Sequence, residues 1–151
     1  MEAKDIMTRD VITVKENDTL EDVAAILVNK HISGVPVVNE ENQVVGLISE
    51  NDLISQHKKI SRSDVGTLLD IMLYYQNRDL YEKEIKKFFR VRVQEVMTTE
   101  VKSVIPSTPV GEVAEIMIKN GFNRVPVISK NRRIIGIIAR ADIIKAIHNF
   151  R

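Results

Sequence analysis

The residue types best suited to chemistry sit in Ser49-Glu50-Asn51-Asp52 and in its counterpart Ala139-Arg140-Ala141-Asp142. Each group follows an apolar run and opens an amphipathic one, so each aspartate is expected at the mouth of a strand–helix turn. A carboxylate there can bind two vicinal hydroxyls. The Ser49 hydroxyl and the N–H groups of the helix start can bind an anion. Ser-x-x-Asp is also a capping box, in which the carboxylate reaches back to the start of its own helix. Ala139 has no hydroxyl, yet Asp142 is still present, and interaction with the helix dipole is enough to account for it.

Three further features have a chemical and a plain structural reading. Arg124, Arg140, Lys102 and His31 are basic; Arg124, beside a strand start, could pair with phosphate bidentately, although most surface arginines are simply solvated. Pro36 and Pro126 stand in mid-run, so their strands are expected to be edges or to be interrupted there. An interruption would free backbone groups to read the edge of a base such as adenine. The segment 82–90 is basic and could touch nucleic acid or a partner, but alternating Glu and Lys usually marks a solvated helix face.

Catalytic constellations are missing. The three histidines, His31, His57 and His148, show no ligand spacing. There is no glycine-rich phosphate loop, no nucleophile elbow and no clustered metal set. The chain has no cysteine, which excludes disulfides, thiolate catalysis and cysteine-bound zinc and is compatible with a reducing cytoplasm. A net charge of +1 announces neither nucleic acid nor membrane. No apolar run is long enough to span a bilayer, and the acidic start Met1-Glu2-Ala3-Lys4-Asp5 does not read as a signal peptide. The residues describe a cytoplasmic binder, not an enzyme.

The elements that must position these residues come from an internal repeat. Gly34-Val35-Pro36-Val37-Val38 and Val44 to Leu53 recur as Arg124-Val125-Pro126-Val127-Ile128 and Ile134 to Ile143, every pair 90 residues apart. Each copy reads as strand, polar turn, strand and helix. The runs are apolar throughout, as suits strands covered on both faces. Leu53, Ile54, Ile143, Ile144 and Ile147 are expected to be buried.

Upstream, Val11 to Val14 reads as a strand. Asp18-Thr19-Leu20-Glu21 has the form of a capping box for a helix over 19–30, with a stripe of Leu20, Val23, Ala24, Leu27 and Val28. In the second copy Thr108 is the candidate cap, Pro109 fits the first turn, and Val110, Val113, Ala114, Met117 and Ile118 form the stripe. Gly121 suits a left-handed terminator. Between the copies, 58–90 has no internal partner and reads as a helical excursion, apolar over 66–76 and basic over 80–90.

Taken together, Asp5-Ile6-Met7-Thr8 and Glu95-Val96-Met97-Thr98, the two helices, the two proline-bearing strands and the two Gly-apolar-apolar runs ending at Asp52 and Asp142 resemble a tandem pair of cystathionine β-synthase (CBS) domains, a Bateman module of the small stand-alone bacterial kind. The resemblance implies an α/β fold of two β-α-β-β-α motifs with pseudo-twofold symmetry, here 1–57 and 91–151, joined by the helical connector 58–90. It implies a ligand-sensing regulatory module that binds an adenosine-containing ligand, such as AMP, ADP, ATP or S-adenosylmethionine, in clefts shared by the motifs. No catalytic cofactor is implied. The better cleft would use Leu47, Ser49 and Asp52 with Lys102, Phe122, Asn123 and Arg124. Asp52 would hold the ribose hydroxyls, Ser49 and Arg124 the phosphate, and Phe122 an apolar wall. The weaker cleft would use Ile137, Ala139, Arg140 and Asp142 with Ile12, Ile32, Ser33 and Gly34; it lacks the serine, and Gly34 stands where the other has Arg124. A homodimer and a separate effector protein are the expected partners. The competing reading is a docking module with empty clefts, anchored by Tyr74, Tyr75, Phe88 and Phe89. A nucleic-acid binder using 83–92 is disfavoured by the near-zero net charge.

Overall fold

A computed structural model describes residues 1–54 and 67–150. His57, the end of the first motif and the first part of the connector lie outside the described residues. The element order is α1 (Ala3–Ile6), β1 (Val14–Lys15), α2 (Leu20–Lys30), β2 (Gly34–Val38), β3 (Val44–Ser49), α3 (Glu50–Ile54), α4 (Leu68–Tyr74), α5 (Arg78–Arg90), α6 (Val93–Val96), α7 (Val110–Asn120), β4 (Arg124–Ile128), β5 (Ile134–Ala139) and α8 (Arg140–Asn149). One sheet has the order β1-β2-β3 and the other is β4-β5. The α/β class and the repeated helix–strand–strand–helix order are as expected.

The chain divides into two compact units. Unit 1 holds Met1–Ile12, Val38–Val45 and Glu100–Arg151; unit 2 holds Thr13–Val37 and Gly46–Thr99. The first lead-in is therefore part of the unit built on the second copy, and the second lead-in part of the unit built on the first.

In unit 1, Ala3, Val104, Val110, Val113, Met117, Val125, Val127, Ile138 and Ile143 form one buried cluster. β4 and β5 pair antiparallel, with Arg124 opposite Ala139 and a bulge between Val127 and Ile128. The outer edge of β5 takes the lead-in: Thr8 N–H donates to Ile137 O at 2.9 Å and Ile137 N–H to Thr8 O at 3.0 Å. The hairpin tips also meet here. Gln43 Nε2 donates to Asn131 O at 3.1 Å, and Ile134 N–H to Asn42 O at 3.0 Å. In unit 2 the corresponding lead-in clips to β3 through Leu47 and Thr98, at 2.9 and 2.8 Å. Leu20, Val23, Val35, Val37, Ile48, Ile71, Phe88 and Val93 are buried there. α5 packs on α2 and α4.

Several local expectations are corrected. The cap of α2 is Thr19 with Asp22, one residue later than Asp18 with Glu21. Asp18 is otherwise engaged, because its Oδ2 accepts from Lys15 N–H at 2.8 Å and closes the turn after β1. Pro109, not Thr108, is the N-cap of α7; Thr108 Oγ1 instead accepts from Ile105 N–H at 3.2 Å. The strand expected over 11–14 reduces to Val14–Lys15, and Ile12 lies outside it. β2 and β4 run through Pro36 and Pro126 without interruption; β4 is an edge of its two-stranded sheet, as expected, whereas β2 is the middle strand of its own. The reason is visible at Pro126. Val104 N–H donates to its carbonyl while Val104 O accepts from Ile128 N–H, so the ladder never calls on the proline nitrogen.

The apolar stripes are narrower than read. Val28, Ile118, Ile144 and Ile147 are more than 60% exposed, and Ile54 is also exposed. β5 alternates between buried and half-buried residues and is not covered throughout. Phe88 is buried, in an edge-to-face contact with Phe89, and is not available as a docking anchor. The basic face of α5 carries ion pairs Arg78–Glu82 and Lys87–Glu84, as a solvated helix does.

Candidate functional site

Each copy builds its candidate site where the second hairpin strand turns into a helix. In unit 2, β3 ends at Ser49 and α3 begins at Glu50. Asp52, one turn into the helix, reaches back. Its Oδ2 accepts from Ser49 N–H at 2.8 Å and from Ser49 Oγ at 3.2 Å. Glu50 N–H donates to Ser33 O at 2.9 Å, which brings Ser33 and Gly34 alongside the Ser49 turn. Leu47 is buried and bridged to Thr98. Ile32 is half-buried, with its N–H bonded to Leu27 O at the end of α2.

The second turn lies in unit 1. Asp142 Oδ2 accepts from Ala139 N–H at 2.8 Å. The backbone half of the cap thus forms without a hydroxyl, which answers why Asp142 needs no serine. Arg140 N–H donates to Asn123 O at 3.1 Å, so Asn123 meets the Ala139 turn as Ser33 meets the Ser49 turn. Arg124 is half-buried and directly opposite Ala139 in the ladder. Phe122 is half-buried and Lys102 and Arg140 are exposed. Ile137 is held to Thr8, and half-buried Ile12 belongs to the same lead-in.

The structure thus brings Ser33, Gly34, Leu47, Ser49 and Asp52 together in unit 2. It brings Ile137, Ala139, Arg140 and Asp142 together with Asn123 and Arg124 in unit 1. Both aspartates do the capping work that the plain reading assigns them. At Asp52 both described bonds fall on one oxygen, Oδ2, and a diol would draw on the carboxylate as a two-oxygen acceptor. Sequence reasoning missed a pocket of about 280 Å³ beside Asp142, lined by Asp5, Ile6, Thr8, Asp142, Lys145, Ala146 and Asn149. The one available signal was the repetition of Asp5-Ile6-Met7-Thr8 as Glu95-Val96-Met97-Thr98, which marks the lead-ins as part of the repeat but not what they touch. Among the described residues, no helix is long and apolar enough to cross a membrane.

A family model described as the CBS domain matches residues 3–58 and 93–149. Protein MJ1426 of Methanocaldococcus jannaschii is 30% identical, over 95% of this chain and 89% of its own length. The chloroplastic CBS domain-containing protein CBSX2 of Arabidopsis thaliana is 28% identical over 94% of this chain, which spans 61% of that protein. The crystal structure of CBSX2 in complex with AMP has a TM-score of 0.73 at 25% identity, covering 99% of this chain and 98% of that one. The CBS domain pair of MJ0100, in complex with 5′-methylthioadenosine and S-adenosyl-L-methionine, has a TM-score of 0.70 at 25% identity, covering 97% and 99%.

Proposed function

The chain belongs to the CBS domain family, and from that premise we propose that it is a regulatory module that binds an adenosine-containing ligand and signals by a change of conformation. The observation that carries this reading is the likeness to CBSX2 in complex with AMP over 99% of this chain. The two capped aspartates support it, since each stands at a strand–helix turn suited to a diol and an anion.

This reading regroups the expected site residues by compact unit, so that Arg124, Lys102, Phe122 and Asn123 no longer go with Asp52, nor Ser33, Gly34 and Ile32 with Asp142: Asp52 takes the ribose hydroxyls and Ser49 a phosphate oxygen, beside Leu47, Ser33, Gly34 and Ile32. In the other unit Asp142 takes the hydroxyls. Arg124 and Lys102 supply positive charge, Arg140 stands in for the missing serine, and Phe122, Asn123, Ile12, Ile137 and Ala139 enclose the base. The Ser49–Asp52 locus is the stronger of the two, because it alone pairs a hydroxyl with its carboxylate. A ligand that prefers one arrangement of the module shifts its population toward that arrangement. The readout passes through a homodimer or a separate effector protein.

The test is a thermal-melting panel on the full chain with AMP, ADP, ATP and S-adenosylmethionine. A ligand present at about 100 times its Kd adds about 2.7 kcal/mol, which reads as a rise of several degrees. If no member of the panel raises the melting temperature, the reading fails and a docking module becomes the better account.

A further inference from the structure

The pocket beside Asp142 carries a charge pattern that the expected ligand contacts do not include. Its polar lining is Asp5 and Thr8 from the lead-in and Asp142, Lys145 and Asn149 from α8. Two carboxylates and one ammonium line the pocket, so its own lining is net negative, while Arg124, Arg140 and Lys102 lie in the same unit but outside that lining. Asp5 is held in place, with Oδ2 accepting from Glu2 N–H at 2.8 Å. Lys4, its sequence neighbour, is ion-paired to Glu2 and does not line the pocket. A carboxylate on a pocket wall disfavours a second anion in that pocket and favours a neutral or cationic group, in proportion to the screening by salt.

We propose that Asp5 is a charge-selecting residue of the Asp142 locus. It disfavours adenosine ligands that carry phosphate and favours uncharged or cationic ones, the class of 5′-methylthioadenosine and S-adenosylmethionine. Lys145 works in the opposite direction. This rests on the reading that the chain binds adenosine-containing ligands. At that locus Asp5 works against the positive charge that Arg124, Lys102 and Arg140 supply, so it sets how far the locus favours phosphate and does not abolish it.

The experiment uses the full chain carrying Asp52→Asn, so that the Asp142 locus dominates, and titrates AMP and 5′-methylthioadenosine at low and at physiological salt. Asp5→Asn keeps an acceptor for Glu2 N–H and removes only the charge. It should tighten AMP about threefold or more relative to 5′-methylthioadenosine at low salt, with a smaller effect at higher salt. Lys145→Gln should shift the same ratio the other way. An unchanged ratio in both variants, or shifts of the same sign, overturns the charge-selection proposal while leaving ligand binding intact. Binding of neither ligand to the chain before Asp52 is changed overturns the underlying reading and this proposal with it.

Discussion

Met7 lies over Gly136 so closely that a Cβ on the glycine would collide with the methionine side chain, its Cγ at 2.9 Å and its Cβ at 3.1 Å. Met97 covers Gly46 in the same way, with Sδ at 2.7 Å and Thr98 O at 3.0 Å from a built Cβ. Both glycines lie in strands that the lead-ins clip, at Ile137 and Leu47. Gly136→Ala and Gly46→Ala should each destabilise by about 1–3 kcal/mol in denaturant unfolding, as overpacking does. Trimming the methionine should recover part of the loss: the pair Met7→Ala and Gly136→Ala should cost less than the sum of the single changes. Strict additivity would mean that the lead-in does not rest on the glycine.

The helices α2 and α7 end in the same left-handed geometry with different residues. His31 has φ 53° and Gly121 φ 68°. Only the second is the residue that this conformation favours. Replacing His31 by Gly should stabilise by about 0.5–1 kcal/mol, and Gly121→Ala should destabilise by a similar amount. No atom stands within 4 Å of a Cβ built at Gly121, so any loss there reports backbone strain and not crowding. Thermal melting distinguishes the two signs.

The hydrogen bonds from Thr19 hold Asp22 below the usual carboxylate range, the backbone N–H first and the hydroxyl second. Because the folded value is depressed, the cap contributes stability above the ordinary Asp value of about 3.9 and loses it as pH falls through the folded value. Asp22→Asn should cost about 0.5–1 kcal/mol at neutral pH, as loss of a cap does, with the gap to the parent narrowing below pH 4. The carboxylate is largely exposed, so salt should shrink the effect. A gap that is flat from pH 7 to pH 3 would rule out the carboxylate as the source.

How far these features were legible in the chain follows from the range of the forces involved. The 90-residue offset places the helices, hairpins and strand–helix turns, because apolar periodicity and turn residues are local signals. Cap registers are finer. Asp18 with Glu21 and Thr19 with Asp22 both have the form of a capping box; the second forms, while Asp18 is taken up by the bond from Lys15 N–H. Stripe width is also non-local. Ile118 and Ile147 repeat at helical spacing but nothing in the described residues covers them. The bridge from Thr8 to Ile137 joins positions at opposite ends of the sequence, so neither it nor the pocket that Asp5 shares with Asp142 leaves a trace in local pattern.

Ser49 and Ala139 differ by the hydroxyl that donates to Asp52 Oδ2 and has no counterpart at Asp142. Ala139→Ser should supply it. Binding of AMP at the Asp142 locus, read in an Asp52→Asn background, should tighten about fivefold, the scale of one hydrogen bond. Unchanged affinity would assign the difference between the loci to something other than the serine.

In the proposed function, Asp52 and Asp142 hold the sugar of an adenosine-containing ligand, and the Ser49–Asp52 turn is the stronger of the two loci. Calorimetric titration of AMP into the parent chain, Asp52→Asn and Asp142→Asn tests it most directly, with unfolding curves to verify that each variant is folded. Asp52→Asn should remove the tighter binding event and Asp142→Asn the weaker. Loss of binding in Asp142→Asn alone, with Asp52→Asn indistinguishable from the parent, would contradict it.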